Sequence, residues 1–396
     1  FDLWWATSRV IPGFAIDEYP LWTAIFADLH GHFIALPVLI ATLIWGWITV
    51  ESDDRRWVVA AVFCGICAAV LASTNPWDLF ILTAALATGV LATAHRRLAG
   101  IGRLSVAASV SLLAAAPFVV EMVAGFSTGA ETRWLFLTRA NFAPAWAVLE
   151  HFGLFLIPLA ALALATLGRR SWMVLPSAGI GILAGFSFGS STAAMALAAG
   201  ALFATVAVVT TDRLIRLAWA LAAVGVMAVA ACERFTLIDR MNTVFKVYNG
   251  VWVLLAVALA TALLRSRNGK RRLVAAVWMP LQLVAIVNLP LGIAQRWRYP
   301  RMRSERPTLD GQAFLAAEDP QTWFLVRALQ GAARPAEPLA EAAGNSYGRF
   351  TRITMHTGGP GVVGWEWHLK QRGQSSEEIR LRFADLETLY AGGPPA

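Results

Sequence analysis

Long apolar runs constrain this chain more than any other feature of its sequence. Runs of roughly 15 to 20 apolar residues, the length of a helix that crosses a hydrocarbon core, recur from Phe33 to Leu291 between short polar breaks. Hydrophobic residues make up 57% of the 396 residues and charged residues only 15%. A water-soluble core could not bury so large an apolar fraction. The sequence therefore predicts an all-α polytopic membrane protein with about ten transmembrane helices.

The apolar runs also divide the chain into parts. We expect residues 1–32 to form an external N-terminal loop, residues 33–297 the transmembrane domain and residues 298–396 an external soluble domain. The predicted spans are residues 33–50, 57–73, 79–94, 104–120, 154–167, 172–188, 193–210, 217–231, 250–264 and 273–292. Because the chain begins at Phe1 without a basic leader segment, we expect it to be a fragment or to lack a first span.

Positive charge falls on every second break between these spans. The members of this basic set are Arg55, Arg56, Arg96, Arg97, Arg103, Arg169, Arg170, Arg213, Arg216, Arg265, Arg267, Lys270, Arg271 and Arg272. Cytoplasmic loops of membrane proteins carry such an excess, so the remaining breaks and both termini are predicted to be external. The net charge of +8 thus reflects topology, and no nucleic-acid partner is expected because the cations form no basic stripe interleaved with aromatic residues.

The first external segment concentrates acidic and imidazole groups. Glu18 precedes the motif formed by Asp28, Leu29, His30, Gly31 and His32. If the motif starts a helix, Asp28 and His32 share a face. A carboxylate and an imidazole can bind a divalent metal or act as a base and its orienting partner. The alternative is a solvated loop that caps the next span; we favour function because this density of acids and histidines is unusual at the mouth of a membrane helix.

A second polar segment lies between predicted spans, at residues 233–249. Read as a helix, it places Asp239, Asn242, Thr243 and Lys246 on one face. Arg240 and Lys246 would suit a phosphate or pyrophosphate group at the edge of a low-dielectric region. The alternative is that either cation pairs with Asp239 or Glu233 and only reaches toward the interface. Charges this dense beside membrane helices favour function.

Two further external segments are candidates. Asn75, Pro76, Trp77 and Asp78 have the residue types of a tight turn, so a structural hairpin and a supporting role in the site are equally acceptable. The connection at residues 121–153 is too polar to span the membrane and too aromatic for a free linker. It predicts an interfacial helix lying over the site.

The C-terminal segment shifts to Arg, Glu, Pro and Gly from Arg298 onward. Asp319 and Pro320 predict the start of a short helix that runs to Gln330, and the alternation over residues 349–355 predicts a strand. We therefore expect a small α/β domain. It has no cysteine and too few residues for a large core, so we expect it to lean on the membrane part or to be truncated. Glu366 and His368 could contact an acceptor, or simply flank buried tryptophans.

These motifs, taken in order, resemble the uncharacterised YYY family of multispanning prokaryotic membrane proteins. The resemblance rests on Glu18-Tyr19-Pro20, Asp28-Leu29-His30-Gly31-His32, Asn75-Pro76-Trp77-Asp78 and residues 235–246, with later matches at residues 306–311, 344–347 and 357–366. That family is similar to the GT-C class of membrane glycosyltransferases. The resemblance implies an integral protein of the prokaryotic plasma membrane, with its active face outside.

The resemblance also implies an activity and roles for residues. GT-C enzymes transfer a sugar from a polyprenyl-phosphate donor to an acceptor. By position, Glu18 and Asp28 would be the acidic catalytic candidates and His30 and His32 metal or acceptor ligands. Donor-phosphate ligands would be Arg240 and Lys246, and supporting residues would be Asn75, Trp77, Asp78, Asp239 and Asn242. The implied partners are the lipid-linked donor and membrane lipids, and the admissible cofactor is a divalent ion, Mg²⁺ or Mn²⁺.

Two other function classes compete with this reading. A transporter or flippase of a lipid-linked or polar substrate usually has charges near the midplane, broken helices and repeated halves. The chain shows no internal repeat, and only the Gly- and Ser-rich run at residues 179–191 could serve a broken helix. A structural subunit would place no demand on the external carboxylates.

Overall fold

The structure is a computed structural model in which most of the chain is described. The described residues are 5–12, 15–26, 29–92, 97–127, 135–137, 142–237, 239–265, 269–297, 308, 310–332, 337–371 and 373–392. The chain divides into a membrane unit, residues 1–119 and 134–296, and a C-terminal unit, residues 120–133 and 297–396.

The membrane unit is built from helices that follow the apolar runs. They are α1 (Pro20–Phe26), α2 (Gly31–Glu51), α3 (Arg56–Thr74), α4 (Trp77–Ala92), α5 (Arg97–Ser127), α6 (Ala145–Leu167), α7 (Leu175–Ser187), α8 (Ser191–Val209), α9 (Arg213–Arg234), α10 (Arg240–Arg265) and α11 (Gly269–Trp297). A 3₁₀ turn, Gly168–Val174, joins α6 to α7, and the short strands β1 (Leu135–Leu137) and β2 (Phe235–Leu237) pair antiparallel.

The polytopic all-α prediction is confirmed. Within the described residues, eight helical stretches are long and apolar enough to cross a membrane, and α4 is a shorter apolar helix. One stretch, Ala145–Ser187, extends over 43 residues and holds the predicted spans 154–167 and 172–188 on either side of the 3₁₀ turn. Each predicted span therefore coincides with helical structure. The Gly- and Ser-rich run forms α7 and the turn before α8, where the Ser190 hydroxyl caps α8 through Ala193 N.

The core of the bundle lies between α6, α8, α9 and α10. Its largest fully buried side chains include Trp219, Leu254 and Leu255. Small residues allow the helices to approach closely: a Cβ on Gly185 of α7 would lie 2.1 Å from the backbone nitrogen of Ala194 on α8. Such contacts are the usual basis of helix association in lipid, where burial of apolar area gives no drive.

The polar segment at residues 233–249, which was read as a helix, belongs mostly to the helices on either side of it. α9 continues to Arg234 and α10 starts at Arg240. Asp239 permits this early start, since its carboxylate accepts from Asn242 N at 2.6 Å. In the connection at residues 121–153, the described residues form the end of α5, strand β1 and the start of α6, and no separate interfacial helix. Among the described residues of this connection, β1 pairs with β2.

Described arginines from several of the basic breaks lie at one end of the bundle, which we call the arginine end. It is defined by the C-terminus of α2, the start of α9 and the end of α10. Arg213 contacts Glu51 at 3.3 Å and Arg265 contacts Asp212 at 3.9 Å. Arg103 donates to the carbonyl of Ser52 at 2.6 Å, where α2 has ended. A cation at a helix C-terminus satisfies carbonyls that have no intrahelical partner.

The regular secondary structure described in the C-terminal unit is helical, apart from an isolated bridge between Leu339 and Gly361. Its helices are α12 (Ala313–Glu318), α13 (Pro320–Gly331), α14 (Arg352–Thr357), α15 (Glu366–Gln371) and α16 (Ser376–Tyr390). The predicted start of α13 is confirmed, since the Asp319 side chain accepts from Thr322 N. The predicted strand over residues 349–355 is wrong. The Glu341 carboxylate accepts from the backbone nitrogens of Ile353 and Thr354 at 2.8 and 2.7 Å, which caps a helix there.

Candidate functional site

The predicted external motifs meet on one turn of α10. We call this part of the membrane unit the motif end; it comprises residues 8–26, the N-termini of α2, α4 and α10, and His151 on α6. The turn Phe245–Gly250 of α10 contacts a residue from each of the other motifs.

Glu18 is buried and held by several partners. Its side chain contacts Arg9 at 3.4 Å and accepts from the Thr23 hydroxyl at 3.4 Å. The backbone carbonyl of Glu18 accepts from the Asn249 amide of α10 at 3.2 Å. The Arg9 guanidinium lies 4.4 Å from the centroid of the Trp5 ring, a cation–π contact. The backbone of the candidate acid is therefore fixed beside α10, and its carboxylate faces Arg9.

Asp17 and His151 fasten the N-terminal segment to the bundle. His151 Nδ1 lies 3.3 Å from the Asp17 carboxylate, and His151 Nε2 accepts from the Trp252 indole at 2.8 Å. Because an indole can only donate, Nε2 is the acceptor in this contact, which leaves Nδ1 to face the Asp17 carboxylate. The same carboxylate accepts from the nitrogens of Val10 and Ile11. This buried network orients the segment that carries Glu18.

Tyr19 extends this contact with α10. Its ring stacks on Trp252, with ring centroids 5.4 Å apart. Burial raises the pKa of the Tyr19 hydroxyl, and a hydrogen bond with Thr7 partly offsets the effect. Tyr19 is therefore a neutral anchor at physiological pH.

The histidines of the first motif pack on α10. The His32 ring lies 4.1 Å from that of Phe245, and His30 lies 5.8 Å from the same ring. His32 is buried, whereas His30 is exposed. Gly31 between them allows α2 to touch α3, because a Cβ there would lie 2.5 Å from the carbonyl oxygen of Thr74. Asp28 lies outside the described residues.

The turn before α4 also reaches α10. The Lys246 ammonium lies 3.8 Å from the centroid of the Trp77 ring. Asp78 packs against Gly250, where a Cβ would lie 2.9 Å from Asp78 Oδ1. Asn75 ends α3 by donating its backbone N–H to Leu71 O. These contacts make the turn part of the site as well as a hairpin.

Arg240 forms a buried ion pair. Its guanidinium contacts the Glu233 carboxylate at 2.7 Å and the carbonyl of Cys232 at 3.3 Å. The other Glu233 oxygen accepts from Ala143 N at 2.9 Å and from the Ser190 hydroxyl at 2.8 Å. Glu233 thus joins four segments of the bundle. Of the alternatives weighed for Arg240, the pairing with Glu233 is present.

Asp239 and Asn242 act at the start of α10. The Asp239 carboxylate accepts from both the backbone and the side-chain nitrogen of Asn242, at 2.6 and 2.7 Å. Thr243 donates to the carbonyl of Leu237 at 2.9 Å, which ties the helix to β2. These contacts are those of a helix cap.

The structure brings together most of the predicted site residues. Glu18, His30, His32, Trp77 and Lys246 all touch or adjoin the turn Phe245–Gly250, whereas Arg240 and Asp239 are engaged one to two turns earlier in α10. Sequence reasoning did not single out Arg9, Asn249 or the pair of Asp17 and His151. The sequence did carry one signal for Asp17 and His151: each is a polar residue at the edge of an apolar run.

An apolar groove opens beside this turn. It has a volume of about 920 Å³ and lies along α4, α8 and α9. Arg216 lines it near the arginine end, and Leu237, Thr243 and Val247 line it near the motif end. Nearly all of its other lining residues are apolar. The groove has the character of a binding surface for a hydrocarbon chain.

Comparisons with known proteins give a family. A family model described as "Uncharacterized membrane protein (DUF2298)" matches residues 1–255. That range contains every site residue discussed above. No curated protein and no solved structure matches the chain.

Proposed function

The chain belongs to the DUF2298 family of uncharacterized membrane proteins, and from this premise we propose that it is an integral membrane glycosyltransferase of GT-C type. It transfers a sugar from a polyprenyl-phosphate donor to an acceptor at the external face. The motif end is the active face, because the arginine-rich breaks that mark the cytoplasmic side lie at the opposite end.

One observation carries the proposal: residues that bear an acid, an imidazole and an ammonium group, from separate external motifs, are brought to one turn of α10. The backbone carbonyl of Glu18 accepts from Asn249, the His32 ring contacts Phe245, and Lys246 contacts the Trp77 ring. A structural subunit has no need for buried acids and a half-buried lysine at one end of an apolar bundle. A transferase of a charged lipid needs both, because it handles a hydroxyl and a phosphate at the membrane surface.

The chemical step is a displacement at the anomeric carbon of the sugar. The acceptor hydroxyl oxygen attacks this carbon while the bond between the carbon and the donor phosphate oxygen breaks. Glu18 or Asp28 takes the proton of the hydroxyl, and the polyprenyl phosphate leaves with the bonding electron pair. Lys246 stabilises the negative charge that develops on the departing phosphate.

Lys246 is better suited to the phosphate than Arg240. The Arg240 guanidinium already contacts Glu233, so a donor phosphate would compete with a buried carboxylate for it. Lys246 is held by the Trp77 ring and lies beyond 4.0 Å from every carboxylate among the described residues. Arg240 remains a phosphate ligand in our proposal through the part of its guanidinium that Glu233 leaves uncovered.

The groove along α4, α8 and α9 accounts for the lipid part of the donor. Its motif-end lining includes Thr243 and Val247, which lie on the same helix as Lys246. A polyprenyl chain in the groove would therefore place its phosphate near the start of α10. Membrane lipids would fill the groove when no donor is bound, so the donor chain gains van der Waals packing there and no hydrophobic transfer energy.

The proposal is tested by measuring sugar release from radiolabelled polyprenyl-phosphate sugars by the purified protein. The variants Glu18→Gln and Asp28→Asn should lower the rate about 10²- to 10⁴-fold if either carboxylate is the general base. Glu51→Gln, the same change at the arginine end, is the matched control and should retain the parental rate. Equal rates for parent and both acidic variants would show that the acidic roles are wrong.

A flippase for a lipid-linked substrate is the second candidate, favoured by the length of the groove. Its lining runs from Arg216 at the start of α9 to Phe235 just after its end, so it joins the two ends of the bundle. Reconstituted vesicles distinguish the candidates. Movement of a fluorescent polyprenyl-phosphate lipid between leaflets without sugar release supports the flippase, whereas sugar release without movement supports the transferase.

A further inference from the structure

The C-terminal unit carries three aromatic rings in mutual contact, which we call the aromatic cluster: Tyr347, Trp365 and His368. The Tyr347 ring lies 5.1 Å from that of Trp365 and 5.3 Å from that of His368, and the last two are also 5.3 Å apart, between ring centroids. Tyr347 is 65% exposed, and the other two residues are half-buried. Trp367 is 38% exposed. The tryptophans beside Glu366 are therefore not buried, and they leave aromatic surface open to solvent.

The backbone of Tyr347 has a conformation that tyrosine rarely adopts. Among the described residues, Tyr347 and Thr351 are the two non-glycine residues with a positive φ, 64° in each. Gly348 donates its N–H to Asn345 O at 3.3 Å, so Tyr347 is the third residue of a turn, where a positive φ favours Gly or Asn. A bulky residue with this φ is an outlier. Such outliers persist where the surrounding structure holds them, and they cluster at functional sites.

Hydrogen bonds hold this turn against the start of α15. The Trp365 indole donates to Phe350 O at 3.0 Å, and the backbone N–H of Trp367 donates to the Ser346 hydroxyl at 3.1 Å. Gly344 allows the segment to fold back, because a Cβ there would lie 2.1 Å from the Phe350 ring. The aromatic cluster is therefore set in place before a ligand arrives, which lowers the ordering cost of binding.

Exposed aromatic surface beside polar groups matches the chemistry of a pyranose sugar. A sugar ring has a face of C–H groups, which packs on the negative face of an aromatic ring. It also carries hydroxyls, which need hydrogen-bond partners. Glu366 follows Trp365 in the chain and contacts Lys370 at 2.6 Å, and these side chains are 51% and 40% exposed. They offer an acceptor and a donor on the helix that carries His368.

Other ligands match the aromatic cluster less well. A lipid surface would have to take in the Glu366 carboxylate together with the tryptophans on either side of it, and the transfer of a charge out of water is costly. A phosphate group would compete with Glu366 for Lys370. A sugar makes neither demand.

We propose that Tyr347, Trp365 and His368 form a binding site for a hexopyranose unit of an oligosaccharide. Tyr347 and Trp365 supply the stacking surface, and His368 and Glu366 bind hydroxyls. The role of the site rests on the proposed function: it holds a saccharide acceptor. The binding itself requires no sugar transfer.

The first test uses the full chain in a detergent without a sugar headgroup. The protein is applied to immobilised hexasaccharides of β-linked glucose, β-linked N-acetylglucosamine and α-linked mannose. Saturable retention on at least one of them, reversed by the same oligosaccharide in solution, is the expected result. No retention on any of the three, or elution by soluble short-chain phosphatidylcholine and not by oligosaccharide, overturns the proposal.

The second test locates the site. Tyr347→Gly removes the ring and supplies the residue that a positive φ favours, so the unfolding midpoint should stay equal or rise while the affinity falls about 10-fold. Phe324→Ala is the matched control, because it removes another ring that is 67% exposed, on α13. It should bind as the parent does. Parental affinity in Tyr347→Gly, or an equal loss in Phe324→Ala, contradicts the assignment.

The two proposals fail in different ways. Retention that depends on Tyr347 is measured without a donor, so it does not require the transferase step. If sugar release is equal in the parent, Glu18→Gln and Asp28→Asn while retention still depends on Tyr347, the acidic roles are wrong and the saccharide site stands. The converse result overturns the saccharide site alone.

Discussion

The arginine end and the motif end of the bundle carry charge in opposite ways. At the arginine end the paired side chains are accessible: Arg213 is 54% exposed and its partner Glu51 22%, and Arg265 is 51% exposed and Asp212 43%. At the motif end, Asp17, Glu18, Asp78 and Glu233 are each at most 5% exposed. The same bundle thus hydrates its charges on one side and buries them on the other.

The exposed charges of one end and the buried charges of the other contribute differently to the stability of the fold. Exposed ion pairs contribute about 0–1 kcal/mol, so the pairs at the arginine end add little to the stability of the fold. Buried charges require a complete set of partners, and such sets at the motif end join residues that are far apart in sequence. The motif end therefore holds the tertiary structure and the candidate chemistry together.

The largest expected effect is at Glu233. The change Glu233→Gln removes the charge that balances Arg240, which is 12% exposed, and disturbs the hydrogen bond from Ser190. Removal of one partner from a buried pair costs about 3–5 kcal/mol. The loss is measured as a lower midpoint in thermal or denaturant unfolding in detergent. A loss below about 1 kcal/mol, as for a surface pair, would show that the ends do not differ in this respect.

A smaller loss of stability is expected when a substitution adds a methyl group at the motif end. In Gly31→Ala the new Cβ would lie 2.5 Å from the Thr74 carbonyl oxygen, so α2 and α3 must separate at a cost of about 1–3 kcal/mol. Gly102 on α5 is the matched control, because nothing lies within 4 Å of its Cβ position. Gly102→Ala should be neutral or stabilise by about 0.5–1 kcal/mol. Unfolding midpoints of both variants check the pair, and equal losses would contradict the asymmetry.

The long apolar runs were enough to predict the bundle. A segment that crosses lipid must satisfy its own backbone hydrogen bonds, so each span is a helix. Helix boundaries were harder. The predicted span that starts at residue 250 lies within α10, which begins at Arg240 because Asp239 caps the amphipathic stretch that precedes the span. In the C-terminal unit, the alternation near Arg352 predicted a strand, but Glu341 from an earlier segment caps α14.

The motifs of the candidate site could be predicted from the sequence, but the contacts between their residues could not. Topology put Glu18, His32, Trp77 and Lys246 at one end of the bundle, and contacts through α10 agree with that grouping. The hydrogen bond from Asn249 to Glu18, across 231 residues, left no local pattern to read. The same holds for Asp17 with His151, since each residue alone looks like an ordinary polar group at a span end.

The smallest expected effect is at the arginine end. Arg213→Gln removes a pair in which the arginine is more than half exposed, so water replaces the lost contact at a cost of about 0.2–1 kcal/mol. Unfolding midpoints at low and high salt check this, because screening should shrink even this small difference. Since Glu51 stays solvated, the variant has no buried charge to neutralise. A loss as large as that of Glu233→Gln would mean that Arg213 supports the packing of α2 against α9, and the arginine end would then be structural and not only topological.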